Sequence, residues 1–220
     1  MTHSRLRLAI AAALVLVVPL AGCTALFPPA VAATSTPTGE KVDAALEPFY
    51  SQVLEWTDCD DGMQCSTATA PLNWDDPAAG SVDLAVVRQP ATGDRLGSLL
   101  LNPGGPGGSG YDFVKDSVDY ATDEALQERY DIVGFDPRGV GKSSPVACYE
   151  PAEMDEYLYG LPTNERGSDA WIAEQEASAA AFANACAERT GALLGEVDTA
   201  SAAHDLDRCA PSSVTASTRP

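Results

Sequence analysis

The chain has 220 residues, with 13 Lys and Arg against 32 Asp and Glu and a formal net charge of −19. That acid excess argues against nucleic acid as a partner, because phosphate backbones are held by Lys and Arg. A hydrophobic fraction of 45% excludes a disordered acidic chain and supplies one domain with a sizeable core, or most of one larger domain.

Arg5 and Arg7 precede an apolar run, Leu8 to Leu20, too short to span a bilayer as a helix. The following Leu20-Ala21-Gly22-Cys23 resembles the bacterial lipobox, which implies removal of residues 1–22 and lipidation of Cys23. The chain would then be exported and anchored to the outer face of the cell membrane; a plain cleaved signal peptide and a secreted product is the alternative. Residues 23–40 are rich in Thr, Pro and Ala without periodicity and read as a flexible tether.

Export permits disulfides. With Cys23 given to lipid, Cys59, Cys65, Cys148, Cys186 and Cys209 remain, an odd number. Cys59 and Cys65 flank Asp60-Asp61-Gly62, a turn at which a local bridge can close, and a Cys148–Cys186 pair would then close a longer loop.

The apolar spacing over Val42 to Trp56 predicts an opening helix kinked at Pro48. Strands are predicted over 64–73, 81–89 and 98–101, with a turn at 74–80. The third strand, Ser98 to Leu101, stops at Asn102-Pro103-Gly104-Gly105-Pro106-Gly107-Gly108-Ser109-Gly110. Such a loop is stiff, bare and rich in backbone N–H groups, suited to hold an oxyanion or a phosphate. Helices are predicted over 111–120 and 122–129, then a buried strand over Tyr130 to Phe135. Strand, glycine loop, helix and strand make a βαβ unit. Ser168 to Leu194 reads as helical cover, and Asp198-Thr199 starts a final helix running towards Asp207.

Two phosphate readings are weak. Gly105 to Gly110 fits G-x-G-x-x-G, but alone that pattern is a poor sign of a dinucleotide. Gly139-Val140-Gly141-Lys142-Ser143 imitates the end of a P-loop, yet its first glycine would have to be Asp136. No metal site is expected: His3 lies in the leader and His204 is the other histidine.

The glycine block, together with Tyr130-Asp131-Ile132-Val133-Gly134-Phe135-Asp136-Pro137-Arg138-Gly139-Val140-Gly141-Lys142-Ser143-Ser144, resembles the secreted α/β-hydrolases of the tripeptidyl aminopeptidase and proline iminopeptidase type. The first block is similar to that family's H-G-G-P-G oxyanion loop, with Pro103 in place of His; the second is similar to its D-x-R-G-x-G-x-S loop. The likeness extends over roughly residues 45–208. It implies an α/β fold, a mixed and mostly parallel sheet flanked by helices. It implies a hydrolase that releases amino acids or short peptides from peptide N-termini through a Ser-His-Asp acyl-enzyme, with a peptide or aminoacyl substrate and no cofactor. Gly104 and Gly105 would form one side of the oxyanion hole, and Asp136 and Arg138 would be structural. The bridges Cys59–Cys65 and Cys148–Cys186 match those expected of such exported enzymes. The strand ending at Leu101 would pair with the one ending at Phe135 on one side and with a nucleophile-bearing strand on the other.

The family's G-x-S-x-G nucleophile elbow does not occur. Ser109 lies on the oxyanion loop and His204 within the last helix, so no catalytic triad residue is assigned and the chain alone is expected to be inactive. Residues 41–208 read as the N-terminal half of the hydrolase domain, including the start of a helical cap. Residues 209–220 read as an unpatterned tail, as after a shifted frame or an early stop, or as a genuine disordered tail. A lipid-anchored binding module, using the glycine loop for a ligand carboxylate, is the alternative function.

Overall fold

The computed structural model describes residues 33–213 apart from positions 38 and 61. Cys23, the signal peptide and most of the tether lie outside the described residues, as does Asp61 of the hairpin turn. No helix among the described residues is long and apolar enough to cross a membrane.

The centre is a six-stranded sheet in the order β1-β2-β3-β4-β6-β5. Its strands are β1 (Ala33–Thr34), β2 (Glu55–Asp60), β3 (Met63–Pro71), β4 (Ser81–Gln89), β5 (Gly97–Leu101) and β6 (Tyr130–Phe135). The sheet is mixed. Parallel pairing is confined to β5 and β6, from Gly97 opposite Tyr130 to Leu101 opposite Gly134, and the other ladders run antiparallel. Among the described residues, no strand lies on the other side of β5.

Strand periodicity divides the core into two layers, because successive side chains point to opposite faces. Val82, Leu84 and Val86 of β4 join Trp56, Ala68, Ala70, Val133 and Phe135 on one face. Val87 and Ile132 join Met63 on the other. β6 is buried on both faces, which explains its unbroken apolar run.

Helices α1 (Glu47–Tyr50), α2 (Gly110–Ala121), α3 (Glu124–Arg129), α4 (Pro151–Tyr159), α5 (Asp169–Thr190) and α6 (Thr199–Ser213) complete the chain. α2 covers the Val87 face through Val114 and Val118, and α6 covers the opposite face with the fully buried Cys209.

Three expectations need correction. The helix expected over Val42 to Trp56 is only α1. Leu54 and Trp56 are buried while Val53 and Glu55 face solvent, an alternation of period two that takes the chain into β2. So short a run fits both periods, and pairing with β3 settles it. The last helix does not stop near Asp207 but continues through Cys209 to Ser213, so the first part of the supposed unpatterned tail is helical. Finally, α4 was not anticipated. Its start was legible, since Glu150 and Glu153 form a capping box around Pro151 at the first turn.

Cys59–Cys65 ties the β2–β3 hairpin, and Cys148–Cys186 ties the start of α4 to the end of α5. Two disulfides fit an oxidising, extracytoplasmic compartment. On β6, the buried carboxylate of Asp131 receives Arg95 Nε at 2.8 Å and the Ala91 N–H at 3.0 Å, with Arg88 of β4 at 3.5 Å. Arg88 also lies 4.2 Å over the Trp56 ring, and burial pulls its guanidinium below the ordinary range.

Candidate active site

β5 and β6 run parallel, so their C-terminal ends open on the same side of the sheet and deliver two loops side by side. The first is 102–109 and the second is 136–144. Between them, with the start of α6, lies a cleft of about 700 Å³. Its walls include Gly104 to Gly108, Pro137, Val140, Val197 and Ala202.

The glycine loop takes shapes closed to other residues. Gly104 and Gly105 have φ of +79° and +135°. The Asn102 side-chain oxygen accepts the Gly104 N–H at 3.0 Å, and Gly108 N–H donates to the Gly104 carbonyl at 3.2 Å. The Asn102 contact is an Asx turn, for which Asn two residues before a glycine was a readable signal. The structure thus distinguishes the two candidate amides. The Gly104 N–H is engaged by Asn102, while the Gly105 N–H has no hydrogen-bond partner among the described residues.

Asp136 holds the two loops together. It is fully buried. One carboxylate oxygen accepts the Ser109 hydroxyl at 2.5 Å and the Tyr111 N–H at 3.1 Å; the other accepts the Lys142 N–H at 2.8 Å. Ser109 in turn caps α2 by accepting the Asp112 N–H at 2.9 Å. Its hydroxyl is committed at both ends, which is the situation of a cap and not of a nucleophile. Above this knot Lys142 pairs with Asp112 at 2.6 Å and lies 4.5 Å over the Tyr111 ring. That pairing lowers the Asp112 pKa and raises that of Lys142.

Arg138 borders the cleft, and its side chain is buried in the protein. Its guanidinium grips both oxygens of Asp205 at 2.7 Å and donates to the carbonyls of Pro71 at 2.9 Å and Leu72 at 2.6 Å. Trp74 Nε1 donates to the same Asp205 at 3.1 Å. Asp205 is a residue that sequence reasoning missed, because its partner is 67 residues away and nothing local marks it.

His204 is exposed on α6, packed at a tilt against Trp74 with ring centroids 5.1 Å apart, and is not among the residues lining the cleft. Cys209 is buried and unpaired, and burial pushes its thiol up to about 12. Among the described residues the arrangement offers a glycine loop with one uncommitted amide and a largely apolar cleft wall, whose charged members are Arg138 and Asp198.

Comparison with known proteins bears on the family. The family model described as alpha/beta hydrolase fold matches residues 97–208. Carboxylesterase B of Mycobacterium tuberculosis is 35% identical over 199 residues, covering 86% of this chain and 38% of that protein. Serine protease Hip1 of the same species is 36% identical over 172 residues, covering 73% and 32%. The tripeptidyl aminopeptidase of Streptomyces lividans is 38% identical over 164 residues, covering 70% and 30%. The chain thus spans about a third of the length of these relatives, from 30% to 38%.

Proposed function

The chain belongs to the α/β-hydrolase fold family, and from that membership we propose that it supplies the oxyanion-loop portion of an exported serine-type hydrolase. The substrate class is peptides with a free N-terminus, and the route is an acyl-enzyme. The observation that supports this reading is the Gly104–Gly105 turn at the C-terminal end of β5, with the Gly105 amide uncommitted in a residue that lines the cleft. Relatives named as a serine protease and as a tripeptidyl aminopeptidase point to amide bonds; one named as a carboxylesterase keeps ester cleavage within the same chemistry.

In this reading the Gly105 N–H meets the developing oxyanion, and Asn102 is the brace that holds the Gly104 turn. The residues at hand include no G-x-S-x-G serine, so the chain by itself turns over no substrate. A fluorophosphonate probe should leave the chain unlabelled. Spliced after residue 208 to the remaining part of the S. lividans tripeptidyl aminopeptidase, it should be labelled on that part's serine. Labelling of the chain alone would refute its inactivity, and a soluble, monodisperse but unlabelled splice would refute the oxyanion loop. In the active splice, Asn102→Ala should lower kcat about tenfold with little change in KM. This is less than the roughly 10²–10³ lost with an oxyanion donor itself, because the amide remains and only its placement loosens.

A second reading, a binding module for a ligand carboxylate, draws on the same free amide. Saturable binding of a peptide carboxylate by the chain alone, abolished by restoring catalysis, would favour it.

The anchor belongs to the same proposal. Cys23→Ala should move the exported protein from the membrane to the soluble exported fraction; retention at the membrane would show that no lipid sits there.

A further inference from the structure

We propose that the α4–α5 arm is a docking site for a basic polypeptide segment carrying a bulky apolar side chain. The inference does not rest on the hydrolytic reading.

Among the described residues little covers the arm. None of the residues of α4 is buried, and of the 22 in α5 only Cys186 is. Helices of this kind normally hide one apolar stripe. Here the apolar side chains collect at one end instead. Leu158 is 58% exposed, Tyr159 76% and Leu161 90%.

Between the two helices is a groove of about 610 Å³. Tyr149 and Tyr157 line it and pack with Phe182, Tyr157 stacked on Phe182 at 4.5 Å and Tyr149 edge-on to both. The charged residues lining it are Glu153, Glu156 and Glu174, with no Lys or Arg among its walls.

The three carboxylates are not equivalent. Glu174 is spent within the fold. It accepts from the N–H and hydroxyl of Thr163 at 2.8 and 2.9 Å and from the N–H and side-chain amide of Asn164 at 3.1 and 3.0 Å. Those bonds, the Thr163 N–H first, hold its pKa down to about 2, and they fix the tip of the arm against α5. Glu153 is taken by Arg189 at 2.9 Å and by the Glu150 N–H. The Glu156 carboxylate has no partner among the described residues.

A carboxylate without a counterion beside tyrosine rings is a receptor for Lys or Arg. The charge meets the carboxylate, and the cation can also rest on a ring face. Leu158, Tyr159 and Leu161 at the same end then take an adjacent apolar side chain. A second copy of the chain is a poor occupant, since two chains of charge −19 repel.

The test uses the full chain and a fluorescein-labelled peptide with both ends blocked, acetyl-Gly-Leu-Lys-Leu-Arg-Phe-Gly-amide. A matched peptide with Glu for Lys and Arg is the control. Fluorescence anisotropy should show saturable binding of the basic peptide, none of the acidic one, and weakening in about 0.5 M salt. Glu156→Gln and Leu161→Ser should each weaken binding by roughly two- to fivefold. Both side chains are exposed, so both variants keep the parent circular dichroism. Asp116→Asn, an exposed acid on α2, should change nothing. Equal weakening by Asp116→Asn would reduce the effect to overall charge and overturn the proposal. So would an unchanged Glu156→Gln, an absence of binding, or a concentration-dependent dimer in size exclusion that the peptide fails to dissociate.

Discussion

Asp205→Ala should destabilise the chain by about 3–5 kcal/mol, a large share of what holds it folded. The side chains of Asp205 and Arg138 are both completely buried. A guanidinium stays charged at any accessible pH, so removing its carboxylate leaves a bare cation in the interior. The carbonyls of Pro71 and Leu72 still accept from it, but they supply dipoles and no compensating charge. The loss also spreads, because this one contact joins the end of β3, the loop after β6 and α6. Against a total stability of about 5–15 kcal/mol the damage is severe. Arg138→Met should be nearly as harmful, since it strands the carboxylate with only Trp74 Nε1 as donor. The double variant Arg138→Met/Asp205→Leu should be far less unstable than the two losses added together, because replacing a buried pair outright leaves no lone charge behind. Urea unfolding followed by near-ultraviolet circular dichroism measures all three. An Asp205→Ala protein within about 1 kcal/mol of the parent would show that the pair is not what holds these segments.

The second large effect is expected from a single methyl group. Where α2 crosses β6, backbone lies on backbone. A Cβ on Gly134 would overlap the Gly110 carbonyl and approach the Val114 side chain to 2.7 Å, and a Cβ on Gly110 would overlap the Phe135 carbonyl. No side-chain rotation can relieve a clash with main chain, so Gly134→Ala must lift the start of α2. That movement takes with it Ser109 and Tyr111, and with them the bonds to Asp136. We expect a loss of about 3 kcal/mol or more, at the upper end of overpacking, together with displacement of the glycine loop. Thermal unfolding gives the first and the amide shifts of Gly104 and Gly105 give the second. Gly195→Ala is the control: its Cβ would meet nothing within 4 Å, and a change within about 0.5 kcal/mol is expected. A Gly134→Ala protein that melts with the parent would mean that α2 has slack on the sheet.

The residues by themselves determined a good deal. β4 and β6 were legible to within a residue, because alternation on β4 and an unbroken apolar run on β6 are direct consequences of burial on one face or on two. The stop at Leu101 and the start of α2 were legible because Gly, Pro and a capping Ser act locally. The two loops that face the cleft were found the same way, since each is a dense run of turn residues. Only tertiary structure decided the rest. Leu54 and Trp56 fit a helix or a strand until β3 lay beside them. The N–H groups of Gly104 and Gly105 look alike in sequence, and the Asn102 side chain separates them only once the turn is folded. Asp205 is one acid among 32 Asp and Glu. Its importance comes from the burial of Arg138, and burial is a property of the packed molecule: it needs β3, β6 and α6 in place before the charge loses its water and must find a partner.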